Sequence, residues 1–314
     1  MYLCQLRQVM GFIYPHNATG TMPPNEGPKN HRNDGHLVPK GIAVAMGGNE
    51  DKENDLEILR ATIAVSSKEA PSIALITSAS SMPEQIAEMY KQAFAKIGTG
   101  PVHVLDIRDR EEAHDPEMVA LITEADVVFF TGGDQLRITN ILGGSPILRE
   151  VKRKYFDEEC VVVGTSAGAS ALSETMIYEG ESSEALRKGA VQMTAGIGLV
   201  QKVIIDSHFI KRGRFSRLMT IITGSPGTIG LGLGEDTGVI IRDGHLLEAI
   251  GNGLIVVFDG RQIGRSNITD IEMGEAIAVE NMIVHTLVKG YGYDLATREY
   301  INPSPPSPPR ADMG

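Results

Sequence analysis

No stretch of 18 or more apolar residues occurs in these 314 residues, so the sequence offers no transmembrane helix. Cysteine is scarce. The two present, Cys4 and Cys160, lie in a loose N-terminal stretch and at the start of an apolar run. Such settings do not favour a disulfide, and the chain reads as cytosolic. No Cys/His cluster has the spacing of a zinc site, so no metal is expected, and no organic cofactor is called for. An excess of basic residues is missing too. The chain has 29 Lys and Arg against 40 Asp and Glu, a net charge of −11. That balance excludes general nucleic-acid binding, which needs a basic face. The N-terminus lacks the basic start and small-residue cleavage site of a signal peptide. What remains is 42% hydrophobic and 22% charged, the composition of an ordinary globular protein with a sizeable core.

Residues 1–40 are rich in Pro, Asn, Gly and His without sustained periodicity, and a disordered extension is expected there. Residues 302–314, NPSPPSPPRADMG, are expected to form a Pro-rich disordered tail. Between them, 41–301 reads as a single α/β domain. Apolar runs at 42–46, 73–77, 102–105 and 126–130 read as strands. Helical patterns at 54–65, 83–97, 115–123 and 145–156 alternate with them. This alternation implies a mainly parallel sheet with helices on both faces. After about residue 225 the pattern changes to short strands, 229–233, 239–242, 246–250 and 254–258, divided by Gly, Asp and Asn turns. This β-rich C-terminal part is expected to be largely antiparallel and to continue the same sheet system rather than form a separate domain. Ligands of open parallel sheets bind beyond the carboxyl ends of the strands. Gly47-Gly48, Ser78, Gly132-Gly133-Asp134 and Ser166 should therefore gather on one rim.

Ser166 is the first candidate for chemistry. It follows the β-branched run Val161-Val162-Val163 within Gly164-Thr165-Ser166-Ala167-Gly168, and small helix-compatible residues come next. A strand entering a helix through so tight a turn pushes the serine side chain outward. The pentapeptide alone is equally compatible with plain strand–helix packing. A nucleophile also needs a base and a group that orients the base. Among eight histidines, His208 follows the apolar run Val203-Ile204-Ile205 and Asp206, which puts it on the expected rim. Glu235 ends the Gly-rich strand Gly230-Leu231-Gly232-Leu233-Gly234 and is the candidate orienting acid. The order Ser166, His208, Glu235 departs from that of α/β-hydrolases, whose acid precedes the histidine. A triad of that order would have to use His245 or His285. Backbone N–H donors for an oxyanion hole are expected from Ala167 and Gly133. Lys211, Arg212, Arg214 and Arg217 concentrate positive charge just after His208. Two readings stand for them: a solvated helix face with acidic partners, or a carboxylate-binding site, since guanidinium forks pair bidentately with carboxylates.

Four segments in order resemble one family: Phe130-Thr131-Gly132-Gly133-Asp134-Gln135, Gly164-Thr165-Ser166-Ala167-Gly168-Ala169, Asp206-Ser207-His208-Phe209 with Arg212-Gly213-Arg214-Phe215-Ser216-Arg217-Leu218, and Gly234-Glu235-Asp236-Thr237. Together they resemble the cyanophycinases, serine exopeptidases of peptidase family S51 that are related to aspartyl dipeptidases. The resemblance spans roughly 40–300 and implies a flavodoxin-like three-layer α/β fold and a homodimer. It implies hydrolysis of cyanophycin, a polyaspartate with arginine on each side-chain carboxyl, to β-Asp-Arg dipeptides. It implies Ser166 as nucleophile, His208 as base and Glu235 as its orienting acid. Gln135, Asp206, Arg212, Arg214 and Arg217 match substrate-binding positions. Three residues depart from the common pattern: Ser207 where Gln is usual, Asp236 where Asn is often found, and Asn49 where Ala is common. An aspartyl dipeptidase, another acidic-peptide hydrolase and a non-catalytic binding paralogue are the alternatives.

Overall fold

The computed structural model describes residues 32–33, 36–181 and 186–303. The expectation for 304–314 and most of that for 1–40 fall outside the described residues. Strands β1 (Arg32–Asn33) and β2 (His36–Leu37) form a two-residue antiparallel ladder ahead of the main body.

Along the first half, strands and helices alternate as the sequence pattern requires. They are β3 (Ile42–Met46), α1 (Glu57–Ala64), β4 (Ile73–Ile76), α2 (Pro83–Ile97), β5 (Val102–Leu105), α3 (Pro116–Glu124) and β6 (Val127–Phe130). Then follow α4 (Gln135–Leu142), α5 (Pro146–Asp157), β7 (Val161–Thr165) and the short α6 (Ala167–Ala171). Three helices begin on side-chain caps that satisfy a free N–H: Asp115, Asp134 and Ser145. Strands β3, β7, β6, β4 and β5 are neighbours in that order and run parallel.

Strands β3, β4, β6 and β7 are apolar on both faces because each face is covered by helices, while the edge strand β5 is half-buried and carries His103. Val44, Met46, Leu75, Phe129 and Val163 point to one side, against Leu59 of α1 and Tyr90 and Phe94 of α2. Their neighbours Ala43, Ala45, Ala74, Val128 and Val162 point to the other, against Ile141, Leu142 and Val151 of α4 and α5. Each large side chain so buried stabilises the fold by about 1.5–3 kcal/mol before entropy is counted. This is the expected three-layer, flavodoxin-like α/β arrangement.

The second half adds β8 (Thr175–Glu179), β9 (Gln192–Ala195), β10 (Val203–Asp206), α7 (Phe215–Gly224), β11 (Ile229–Leu233), β12 (Thr237–Arg242) and β13 (Leu246–Gly251). It ends with β14 (Ile255–Asp259), β15 (Ile283–Leu287), β16 (Gly292–Asp294) and β17 (Glu299–Ile301). Strands β12, β13, β16 and β17 extend the central sheet antiparallel from β3, giving nine strands. Here the structure corrects one expectation. Strands β11 and β14 do not continue the central sheet; they join β10 and β15 in a separate four-stranded sheet. Helix α7 carries β10 over to a parallel β11, and this unit packs Leu218 and Ile222 on Ile204, Val256 and Phe258. The chain then crosses between sheets at Gly234-Glu235-Asp236, between β11 and β12. No helix among the described residues is long and apolar enough to cross a membrane.

Candidate active site

Ser166 lies between β7 and α6 with φ 52° and ψ −113°, a conformation that costs a non-glycine residue on the order of 1–3 kcal/mol. Its flanking glycines are required by close backbone contact. A Cβ on Gly164 would stand 2.5 Å from the Gly168 carbonyl, and one on Gly168 would stand 2.4 Å from the Phe130 carbonyl oxygen. The turn therefore keeps its sharp bend and aims the serine hydroxyl away from the sheet.

His208 follows β10 of the other sheet, and Glu235 sits at the crossover between the sheets. The Ser166 Oγ lies 2.9 Å from His208 Nε2, and His208 Nδ1 lies 2.8 Å from Glu235 Oε1. A carboxylate only accepts, so Nδ1 carries the proton and Nε2 is left free to accept from the serine. The second Glu235 oxygen accepts from Asn49 Nδ2 at 3.2 Å. These bonds, that from His208 first, hold the Glu235 carboxyl below the usual carboxylate range, against the opposing effect of burial. His208 also has positive φ, 49°, and its N–H donates to the Gly47 carbonyl at 2.8 Å.

Two of the other expected rim residues, Gly48 and Gly132, close on the relay. A Cβ on Gly48 would reach within 2.5 Å of His208 Nε2, and one on Gly132 within 3.1 Å of Ser166 Cβ. Gly133 has φ 142°, and a Cβ there would stand 2.0 Å from the Ala79 carbonyl oxygen. The Gly133 N–H donates no backbone bond among the described residues. Ala167, as the first residue of α6, has no intrahelical acceptor for its N–H.

The cation cluster divides. Asp206 is 1% exposed. Arg217 grips it with Nε at 3.1 Å and Nη2 at 2.7 Å, and Arg214 Nη1 donates to it at 3.0 Å. Burial pushes the Asp206 carboxyl up against the pull of both arginines. Arg217 also donates to the Gly180 carbonyl, and Arg214 to that of Ser207. Two of the expected cations thus meet a carboxylate of the chain itself. Arg212 is exposed. Gln135, beside Gly133-Asp134, donates to the Ile177 carbonyl at 3.0 Å.

The rival histidines stand elsewhere. His245 pairs with Asp294 at 2.9 Å, and His285 lies on β15. The structure therefore sets aside a triad in α/β-hydrolase order. The contact of Asn49 with Glu235 and the fit of Gly48 against His208 were not foreseen. Their one sequence signal is the run Gly47-Gly48-Asn49-Glu50-Asp51-Lys52 directly after a strand.

A serine on a strained strand-to-helix turn, bonded to a histidine that is bonded to a carboxylate, is the arrangement of a serine hydrolase. The chain belongs to peptidase family S51, whose family model matches residues 42–249, and it is a serine-type peptidase. It is similar to the cyanophycinase of Synechococcus elongatus, at 32% identity over 269 residues, covering 86% of this chain and 83% of that one. The cyanophycinase of Geminocystis herdmanii is 32% identical over 260 residues, covering 83% of this chain and 96% of that one. A crystal structure of a peptidase from an acI-B1 actinobacterium shares the fold. Its TM-score is 0.62 at 19% identity, over 82% of this chain and 98% of the other.

Proposed function

We propose that this peptidase hydrolyses cyanophycin or a closely related β-Asp-Arg polymer, as an exopeptidase releasing β-Asp-Arg dipeptides through an acyl-enzyme on Ser166. The observation that carries the chemistry is the relay from Ser166 Oγ through His208 to Glu235, at 2.9 and 2.8 Å. What supports the substrate is the likeness to cyanophycinases over more than four-fifths of the chain.

In this reading Ser166 Oγ attacks the scissile carbonyl carbon while its proton passes to His208 Nε2. The imidazolium so formed is stabilised by Glu235. The carbonyl oxygen becomes an oxyanion that accepts from the N–H groups of Gly133 and Ala167, each such donor contributing about 3 kcal/mol. Collapse breaks the C–N bond, and Nε2 returns the proton to the leaving amine. Water, deprotonated by His208, then cleaves the acyl-serine ester and restores the hydroxyl. The Asp206–Arg214–Arg217 network and Gln135 stiffen one wall of the substrate site, with Arg212 as an exposed cation for a substrate carboxylate. Residues 41–301 act as one catalytic domain, and the protein works as a cytosolic homodimer.

One observation favours the alternative of an aspartyl dipeptidase or another acidic-peptide hydrolase: the short Ser207 stands beside His208. Incubation with cyanophycin beside Asp-Xaa dipeptides tests the choice. Release of β-Asp-Arg is expected. Turnover of the dipeptides with the polymer left intact would overturn the proposed substrate.

A further inference from the structure

The segment from Met46 to Asp51 touches every part of the relay in register. The Met46 carbonyl accepts from the Ser166 N–H at 3.0 Å, the Gly47 carbonyl from the His208 N–H at 2.8 Å, and the Gly48 carbonyl from the Asp236 N–H at 3.1 Å. Asn49 holds the second oxygen of Glu235. Glu50 Oε2 accepts from the Thr165 hydroxyl at 2.7 Å, one residue before Ser166. The Asp51 N–H donates to Asp236 Oδ1 at 3.1 Å, one residue after Glu235. Six consecutive residues thus each bond to a triad residue or to its chain neighbour.

Glu50 is the unusual member. It is 4% exposed, and a carboxylate taken out of water there carries a large desolvation cost. An apolar side chain under α2 would avoid that cost. The carboxylate is instead fixed from three directions: by the Tyr90 hydroxyl of α2, by Lys52 Nζ at 3.1 Å, and by Thr165. Lys52 is itself held by the Glu50 carbonyl at 3.0 Å and stands 5.0 Å from the centre of the Tyr90 ring. Glu50 does not bond to Ser166 Oγ, so it is not a proton carrier in the reaction. Among the described residues, its side chain reaches the site through Thr165, the last strand residue before the strained serine. A positive-φ serine persists only where its surroundings over-determine it. The Thr165 hydroxyl, the Met46 carbonyl and the Gly164–Gly168 contact are restraints here, beside the Ser170 N–H that donates to the Ser166 carbonyl at 3.1 Å.

We infer that residues 46–51 form the template that registers the triad, and that Glu50 is a positioning residue holding Ser166 in line through Thr165. This rests on Ser166 being the nucleophile. A misplacement of about 1 Å costs on the order of 100-fold in rate, so partial loss of the restraint should cost about 10- to 100-fold.

The test uses the full chain with two readouts: kcat and KM on cyanophycin, and the rate of Ser166 labelling by a fluorophosphonate per folded molecule. The second does not depend on the natural substrate. Glu50→Gln is expected to lower kcat and the labelling rate about 10- to 100-fold, with KM within threefold. Thr165→Val, which removes the hydroxyl at constant shape, should do the same. Thr165→Ser, which keeps the hydroxyl, should restore the rate. The Glu50→Gln/Thr165→Val double variant should be no slower than the slower single one. A lower Tm with an unchanged labelling rate per folded molecule would mean a purely structural Glu50 and overturn the inference. Ser166→Ala separates the two levels. If it is inert while Glu50→Gln labels like wild type, the positioning role alone fails. If Ser166→Ala still hydrolyses, the nucleophile assignment fails and takes this inference with it.

Discussion

Replacing Glu235 by Gln probes the relay where its electrostatics are most exposed to measurement. The substitution keeps the shape and removes the charge. In the proposed mechanism the imidazolium formed during proton transfer faces a carboxylate at 2.8 Å. With charge centres about 4 Å apart and an effective dielectric near 20, Coulomb's law gives about 4 kcal/mol. Glu235 is 27% exposed, and solvent screening trims this to about 3 kcal/mol. That is roughly a 100-fold loss in kcat. A second effect adds to it. The Gln amide can donate to Nδ1 and so place the imidazole proton on Nε2, which then cannot accept from Ser166; a wrong tautomer of this kind costs up to about 10⁴-fold in a comparable triad. The assay is kcat on cyanophycin at pH 7–8, with fold integrity checked by thermal melting. The expected loss lies between about 100- and 10⁴-fold with KM little changed. A Glu235→Gln enzyme within threefold of wild type would refute the reasoning, because the carboxylate would then play no part in the transition state.

Gly48→Ala would bring a Cβ within 2.5 Å of His208 Nε2 at a φ of 93°; we expect at least a 100-fold loss of labelling rate, read with the fluorophosphonate, in a protein that still melts cooperatively. Asp259 is fully buried and bonded to Arg298 at 2.7 Å, Arg261 at 3.0 Å and the Tyr293 hydroxyl. Asp259→Ala strands these partners, and calorimetry should find a loss of about 3 kcal/mol, or roughly 6–10 °C in Tm. Asp51 accepts from the N–H groups of Asn54, Glu53 and Leu56, bonds that hold its carboxyl well below the usual range. A depressed carboxylate contributes stability above its unfolded value and loses it as pH falls through the folded one. Asp51→Ala should therefore lower Tm at pH 7, with the difference from wild type narrowing below about pH 4.

The sequence pattern carried the parallel half of the fold, because strands such as 161–165 and 127–130 are apolar on both faces and leave no other reading. It also marked the tight turn at Ser166, because only glycine tolerates the backbone contacts at Gly164 and Gly168. The split of the C-terminal strands was not legible. Strands β11 and β12 have the same short apolar signature, and which sheet each joins depends on helix α7 returning β11 to β10. The arginine cluster was visible as charge, yet its spacing could not reveal that Asp206 lies inside it. That fact needs the turn after β10 and the first turn of α7 to fold back on the strand end. The role of Asn49 was hidden for a similar reason: its partner lies 186 positions away, joined to it only when β12 pairs with β3.

The most direct test of the central claim is mass spectrometry of the enzyme after rapid quenching with cyanophycin or treatment with a fluorophosphonate. A covalent adduct on the peptide containing Ser166, absent from Ser166→Ala together with all hydrolysis, is the predicted result. An adduct on another residue, or hydrolysis by Ser166→Ala at the wild-type rate, would contradict it.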